Sequence, residues 1–340
     1  MIEERIIKQM LLRTGVGAVL LFFIFSFSFL WFPNSFDPSP QFVTVSKGQT
    51  FSSVAESLSQ KGILASRFTF KLAGRLLGVT QKMRVGKYSF ATGATNFRIL
   101  TDIGEGLSTV NTQITFREGL RAKTYARILK RNIGIDSARF MSFFTDTSLI
   151  GIYPHRSSSL EGYLMPDTYG FGWQDDERQI VQTMVAEFRK FFVDSLQQRM
   201  KKLGYDLNEV LTMASIVEGE AVYDDERPII AGVYYNRIKL KMPLQADPTI
   251  QYIVADTPRR IYYDDLKVKS PYNTYLRYGL PPGPINNPGR QSILAALYPA
   301  KHSYLYFVSD HNGRHRFTRS YSEHLKNVRL YRKARVSQQG

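Results

Sequence analysis

The alternation of apolar and polar positions changes character several times along this chain, and each change predicts an element. Residues Gly15 to Phe32 carry no charge and run up to Pro33, a stretch about long enough to cross a bilayer core. After the proline-bearing stretch Asn34 to Gln41, FVTVSKGQTFSSVAESLSQKGILAS alternates, turns at Gly48, then spaces Val54, Ala55 and Leu58 helically. That order predicts a strand, a turn and a helix. VGKYSFATGATNFRILTDIGEG predicts a strand and then a helix begun near Thr95 or Asn96. The run from Asp175 to Leu203 reads as helical throughout, with Val181, Met184, Val185 and Phe188 on one face. Asn287-Pro288 leads into a helix over Ile293 to Leu297, and alternating segments around Asn312-Gly313 signal a hairpin.

The stretch richest in candidate chemistry is Leu211 to Tyr252. At about 100° per residue, Val210, Met213, Ala214, Val217 and Ala221 fall on one side of a helix. Glu218 lies on one flank of that stripe beside Leu211 and Ala214, and Glu220 on the other beside Met213 and Ile216. A carboxyl at an apolar margin loses hydration in its charged form, so its pKa rises and it can hold a proton near neutrality. Spacing does not choose between the two. Asp224 or Asp225 is placed to cap a second helix, with Glu226 and Pro228 in its first turn. Further on, Asp247 and Pro248 read as the N-cap and first position of a third.

Part of the pattern recurs. ITFREGLRAKTYARILKRNIGIDSARF, from Ile114, lies over VTVSKGQTFSSVAESLSQKGILASRF, from Val43, with one extra residue in the later copy. Gly48 matches Gly119, Ala55 matches Ala126, Leu58 matches Leu129, Gly62 matches Gly134 and Phe68 matches Phe140. Two copies of a strand, turn and helix unit are implied. Neither shows a catalytic cluster, so glycan binding or a spacer role suits them. The first resembles a LysM-type module, a small unit that grips glycan chains.

The blocks ASIVEGEA, ERPIIAGVYYNRI, LQADPTIQY, SPYNTY and GLPPGPINNPG, in this order and spacing, resemble the endolytic murein transglycosylase family, the MltG or YceG-like proteins. LEGYLMPDTY upstream, and YLYFV and GRHRFTRSYSEH downstream, extend the likeness over most of the chain. Gly219 departs from it, standing where a long polar residue is expected. The resemblance implies that Glu218 is the catalytic acid of a lytic transglycosylase: it protonates the glycosidic oxygen and then, as carboxylate, accepts the proton of the muramic acid's C6 hydroxyl. A 1,6-anhydro end results and no cofactor or metal is needed. It further implies action on nascent peptidoglycan glycan strands, beside peptidoglycan synthases. Asn236, Gln245, Asp247, Thr249, Tyr272 and Asn273 are the candidates for binding the glycan, tyrosine faces and amides being what sugar rings and acetamido groups recognise. A hydrolytic muramidase would instead need a second carboxylate, for which Glu220, Glu161 and Asp247 are available. A noncatalytic glycan-binding scaffold is the other alternative.

Charge and composition narrow the setting. The chain has 340 residues, a net charge of +16 and no cysteine, so disulfides and thiolate metal sites are excluded. Arg5, Lys8 and Arg13 precede the uncharged run and no lysine or arginine follows it until Lys47. The positive-inside rule then puts the N-terminus in the cytoplasm and the rest outside the inner membrane. An exported chain does not meet nucleic acid, and the basic surface suits anionic head groups or cell-wall carboxylates. His311 and His315 lack nearby partners for a metal. The organisation expected is α+β: a cytoplasmic N-terminus (1–14), a transmembrane helix (15–33), a linker (34–41), a LysM-like module (42–110), a second repeat-like module (111–155), a YceG-like catalytic domain (156–330) and a basic tail (331–340).

Overall fold

A computed structural model describes residues 2–34, 39–91, 93–151, 158–310 and 312–337. Parts of the expected linker and tail, the expected boundary at 155 and His311 lie outside them. The chain divides into two compact units, residues 1–113 with 170–175, and residues 114–169 with 176–340.

The first unit opens with α1 (Ile2–Trp31). Among the described residues no helix is long and apolar enough to cross a membrane; the side chains at 22, 23, 25 and 26, within the expected span, lie outside them. Strand β1 (Gln41–Val45) pairs antiparallel with β2 (Gly86–Phe90), Val43 opposite Tyr88. Between them run α2 (Phe51–Gln60) and α3 (Arg67–Leu76), and α4 (Asn96–Glu105) follows. Thr50, Ser66 and Thr95 cap these three helices, each hydroxyl accepting a backbone N–H three residues on. Val54, Ala55 and Leu58 on α2 are buried with Val43, Val45 and Tyr88, as the spacing predicts. Trp31 at the end of α1 stacks on Phe97, ring centroids 4.4 Å apart.

The chain passes between the units within β3 (Thr112–Thr115) and β4 (Thr168–Phe171), which pair in a second two-stranded sheet. Between these strands lie α5 (Ala122–Ile133) and α6 (Ser137–Phe143), so the element order of β1-α2-α3-β2 occurs twice. The matched glycines share one left-handed conformation: φ is 75° at Gly48 and 74° at Gly119, 69° at Gly62 and 67° at Gly134.

The remaining elements are α7 (Glu177–Phe191), α8 (Asp194–Leu203), α9 (Leu207–Glu220), α10 (Arg227–Lys239), α11 (Asp247–Val254), α12 (Arg290–Leu297), β5 (Tyr306–Ser309), β6 (His315–Thr318) and α13 (Tyr321–Ser337). The helix expected from Asp175 to Leu203 is two, because the chain turns at Val193 and buries Phe192 against Phe188. α13 carries residues 331–337, expected as a tail, into a helix.

Helix α9 is the axis of the second unit. Asp206 and Glu209 close a capping box at its start, and every residue from Val210 to Val217 is buried. The one-sided stripe expected there is therefore replaced by packing all round, with α10, α11 and α12 against α9. Thr212 and Ser215 fit this interior because their hydroxyls donate to the carbonyls of Asn208 and Thr212. Two caps also differ from expectation. α10 begins at Arg227 with Glu226 before it, while Asp224 and Asp225 pair with Arg227 and Arg314. α11 begins at Asp247 itself, its N-cap being Ala246.

Candidate active site

The last turn of α9 brings Glu218 out of the core. Its side chain is 7% exposed and is held from two directions. The Gly289 N–H donates to Oε2 at 3.0 Å, and Arg227 Nη1 stands 3.3 Å from Oε1. Gly289 is the N-cap of α12, so the carboxylate also faces that helix's positive end. Arg227 is fixed in turn by Asp224, at 2.8 Å, and Ser292, at 2.6 Å. These donors, rather than the expected apolar flank of Leu211 and Ala214, are what the carboxyl oxygens meet.

The turn between β3 and α5 closes over this point. A Cβ on Gly119 would lie 3.4 Å from Glu218 Cγ, and a Cβ on Gly289 would overlap the carboxyl of Glu118. Two carboxyls from distant parts of the chain thus share one glycine. Partial burial raises the Glu118 pKa, Glu218 nearby adds to the rise, and Arg227 opposes it. The turn is bolted from below by Asn287. Its Nδ2 donates to Leu120 O and to Glu161 Oε1, both at 3.0 Å, and its Oδ1 accepts the N–H groups of Gly162 and Leu164. Glu161 also accepts the Ala122 N–H at 3.0 Å, and burial lifts its pKa to about 7. The repeat, read from sequence as having no catalytic cluster, therefore contributes its second turn to the site.

Beyond Gly119 opens a cleft of about 370 Å³ lined by Arg121, Glu220, Asp247, Pro248 and Tyr252 among others, within the size range of small-ligand sites. The Arg121 guanidinium lies over the Tyr252 ring, 4.1 Å from its centroid, and donates to the carbonyls of Tyr252 and Ala255. Glu220 forms part of the wall. Burial raises its pKa to about 7, but its Oε1 accepts from the hydroxyl of the buried Tyr234 at 2.8 Å, which ties it inward. Gly219 explains itself here: a Cβ would come 2.6 Å from that of Pro248, so the long side chain expected from the resemblance does not fit against α11.

The YceG-like family's sequence profile matches residues 43–330. The chain belongs to the YceG-like family. An endolytic murein transglycosylase of Bacillus subtilis is 33% identical over 304 residues, covering 85% of this chain and 84% of the relative. The enzyme of that name from Streptococcus pneumoniae is 26% identical over 323 residues, and this chain spans 58% of its length. A crystal structure of a yceG-like protein from Listeria monocytogenes superposes with a TM-score of 0.60 at 29% identity, covering 84% of this chain and 98% of that one.

Within this YceG-like site the sequence-derived residues separate into two groups. Glu218 is at its centre, Asp247 lines the cleft and accepts the Tyr275 hydroxyl, and Tyr272 packs against the cleft residue Tyr252 at 4.8 Å. Gln245, exposed with φ 49°, forms the bend before α11. The other three have their polar groups taken up by the fold. Asn236 donates to the carbonyls of His302 and Tyr304. Asn273 donates to Leu266 and Val268. Thr249, fully buried, bonds Ala246 O and the Thr274 hydroxyl. In these three the donor groups expected for glycan instead bond within the fold. Glu118, Arg227, Gly289 and Asn287 were missed. The signal that could have found Glu118 is its place before a repeat glycine that needs left-handed backbone.

Proposed function

We propose that this protein is a lytic transglycosylase that cleaves peptidoglycan glycan strands internally, with Glu218 as its central catalytic carboxyl. The observation that carries the reading is Glu218 itself: a nearly buried carboxyl fixed by the Gly289 N–H and Arg227, beside a second carboxyl and behind Gly119, which lines the cleft. The two relatives named as endolytic murein transglycosylases support the substrate class. The reaction delivers a proton to the departing glycosidic oxygen, and the C6 hydroxyl of the muramoyl unit attacks C1 as its own proton leaves. Glu218 receives that proton. Arg227 and the end of α12 offset the charge that passes over the carboxyls. In the cleft, Pro248, Ile261 and Ile285 offer an apolar lining for a sugar ring.

The N-terminal part belongs to the same proposal. α1 carries the uncharged run, and its described residues Val16, Val19, Leu20, Leu21, Ile24 and Phe27 are exposed, which suits a single membrane anchor with the N-terminus cytoplasmic. The β1-α2-α3-β2 arrangement suits a LysM-like glycan grip. An anchored enzyme would meet nascent strands beside their synthases and limit their length.

Mass spectrometry of peptidoglycan digested by the full chain tests this. Internal products ending in 1,6-anhydro sugar are expected, reduced on the order of 10²–10⁴-fold by Glu218→Gln and kept by Glu220→Gln. A reversed pattern would make Glu220 the catalytic acid. A hydrolytic reading is favoured by one observation, the presence of a second carboxyl, and reducing ends among the products would establish it.

A further inference from the structure

We propose that Glu118 is a second catalytic carboxyl, the general acid that protonates the departing glycosidic oxygen while Glu218 accepts the proton of the C6 hydroxyl. This assignment rests on the transglycosylase reading and divides between two residues what the resemblance gives to one. Both carboxyls meet Gly289, Glu218 through the N–H at 3.0 Å and Glu118 against the Cα, where any side chain would displace it. The residue after Glu118 lies beside Glu218 as well, since a Cβ on Gly119 would stand 3.4 Å from Glu218 Cγ. The two differ in what holds them. Both oxygens of Glu218 face donors, which suits the accepting half of the cycle. Glu118 is exposed, and among the described residues no protein donor is hydrogen-bonded to its carboxyl. A group so placed can give a proton to a bound ligand and regain one from water. Burial on its inner side and the neighbouring Glu218 favour its protonated form, against Arg227.

The step balances with one proton on the pair. The Glu118 proton passes to the glycosidic oxygen as the C1–O bond breaks and its electron pair leaves with that oxygen. A lone pair of the C6 oxygen forms the new bond to C1, and the C6 hydroxyl proton passes to Glu218. The pair then holds its proton on Glu218, and exchange with solvent through Glu118 restores the starting state.

An acid is dispensable when the leaving group needs no proton, and that gives the test. Full-length wild type and Glu118→Gln are compared on peptidoglycan and on an aryl muramoyl glycoside whose phenolate leaves unprotonated. For Glu118→Gln the expected result is a loss of kcat on the polymer of about 10²–10⁴-fold with KM little changed, and aryl glycoside cleavage within about threefold of wild type. Equal losses on both substrates, or no loss on either, would overturn the proposal. Reducing ends made by wild type would refute the transglycosylase reading, and the aryl comparison would still decide whether Glu118 is an acid. Carbon-13 titration of the Glu118 carboxyl gives a readout free of turnover. Glu218→Gln should lower its pKa, and an unchanged value would contradict the pairing.

Discussion

The turns after β1 and after β3 have the same backbone and different occupations. Gly48 and Gly119 both sit near φ 75°, and the residue before each is Lys47 in one and Glu118 in the other. Around Gly48 there is open space: a Cβ would meet nothing within 4 Å. Around Gly119 there is Glu218. The first turn is held by surface contacts, the Lys47 N–H donating to Gln174 Oε1 and the Ser46 N–H to Gln49 Oε1. The second is held from beneath by Asn287 and Glu161. A supersecondary unit whose turn faces open space in one copy thus sets its turn against Glu218 in the other, through the residues that the turn happens to carry.

The contrast can be broken at several points. The largest effect is expected from the charged residue: Glu118→Gln should lower the cleavage rate at least a hundredfold, whereas Lys47→Gln should leave kcat unchanged in the same assay. The supports come next. Asn287→Ala leaves the Gly162 and Leu164 N–H groups without their acceptor and takes one donor from Glu161, and should cost roughly 2–3 kcal/mol in denaturant unfolding. Gln174→Ala, under the exposed first turn, should cost less than about 1 kcal/mol.

The second unit should also show a pH slope in its stability. Glu161 and Glu220, pushed by burial to about 7 from the usual 4.5, keep protons in the folded state that the unfolded chain releases. Their contribution is complete below about pH 4.5, declines as pH rises, and levels off above about pH 7. Glu220→Gln should remove part of that decline in unfolding measured across this range, leaving the share due to Glu161; an unaltered slope would mean that Glu220 does not titrate there.

The sequence made some of this legible and not the rest, for physical reasons. Local rules carried α2, α4 and the hairpin, because Thr50, Thr95 and Asn312-Gly313 act on their immediate neighbours. They also carried the glycine turns. They misjudged α9, since periodicity reports one packed face and cannot see helices arriving on the others. Glu218 was reached only through the family resemblance, helical spacing leaving Glu220 equal to it. The ring about Glu218 was hidden because Glu118, Arg227 and Gly289 are far apart in the chain and meet only by tertiary closure. The carbonyls that Asn236 and Asn273 brace were hidden as well, because an amide's partners are not written in its own neighbourhood of the sequence.

The most direct measurement of the central claim, that the second turn belongs to the catalytic site, is the rate of 1,6-anhydro end formation by full-length Gly48→Ala and Gly119→Ala. Both substitutions force an alanine into left-handed backbone and carry a similar strain of about 1–2 kcal/mol, so stability is matched. Relief of that strain at Gly119 would shift the turn that carries Glu118 past Glu218 and should lower kcat roughly tenfold or more, while Gly48→Ala keeps it. Equal loss of rate in the two variants would contradict the account.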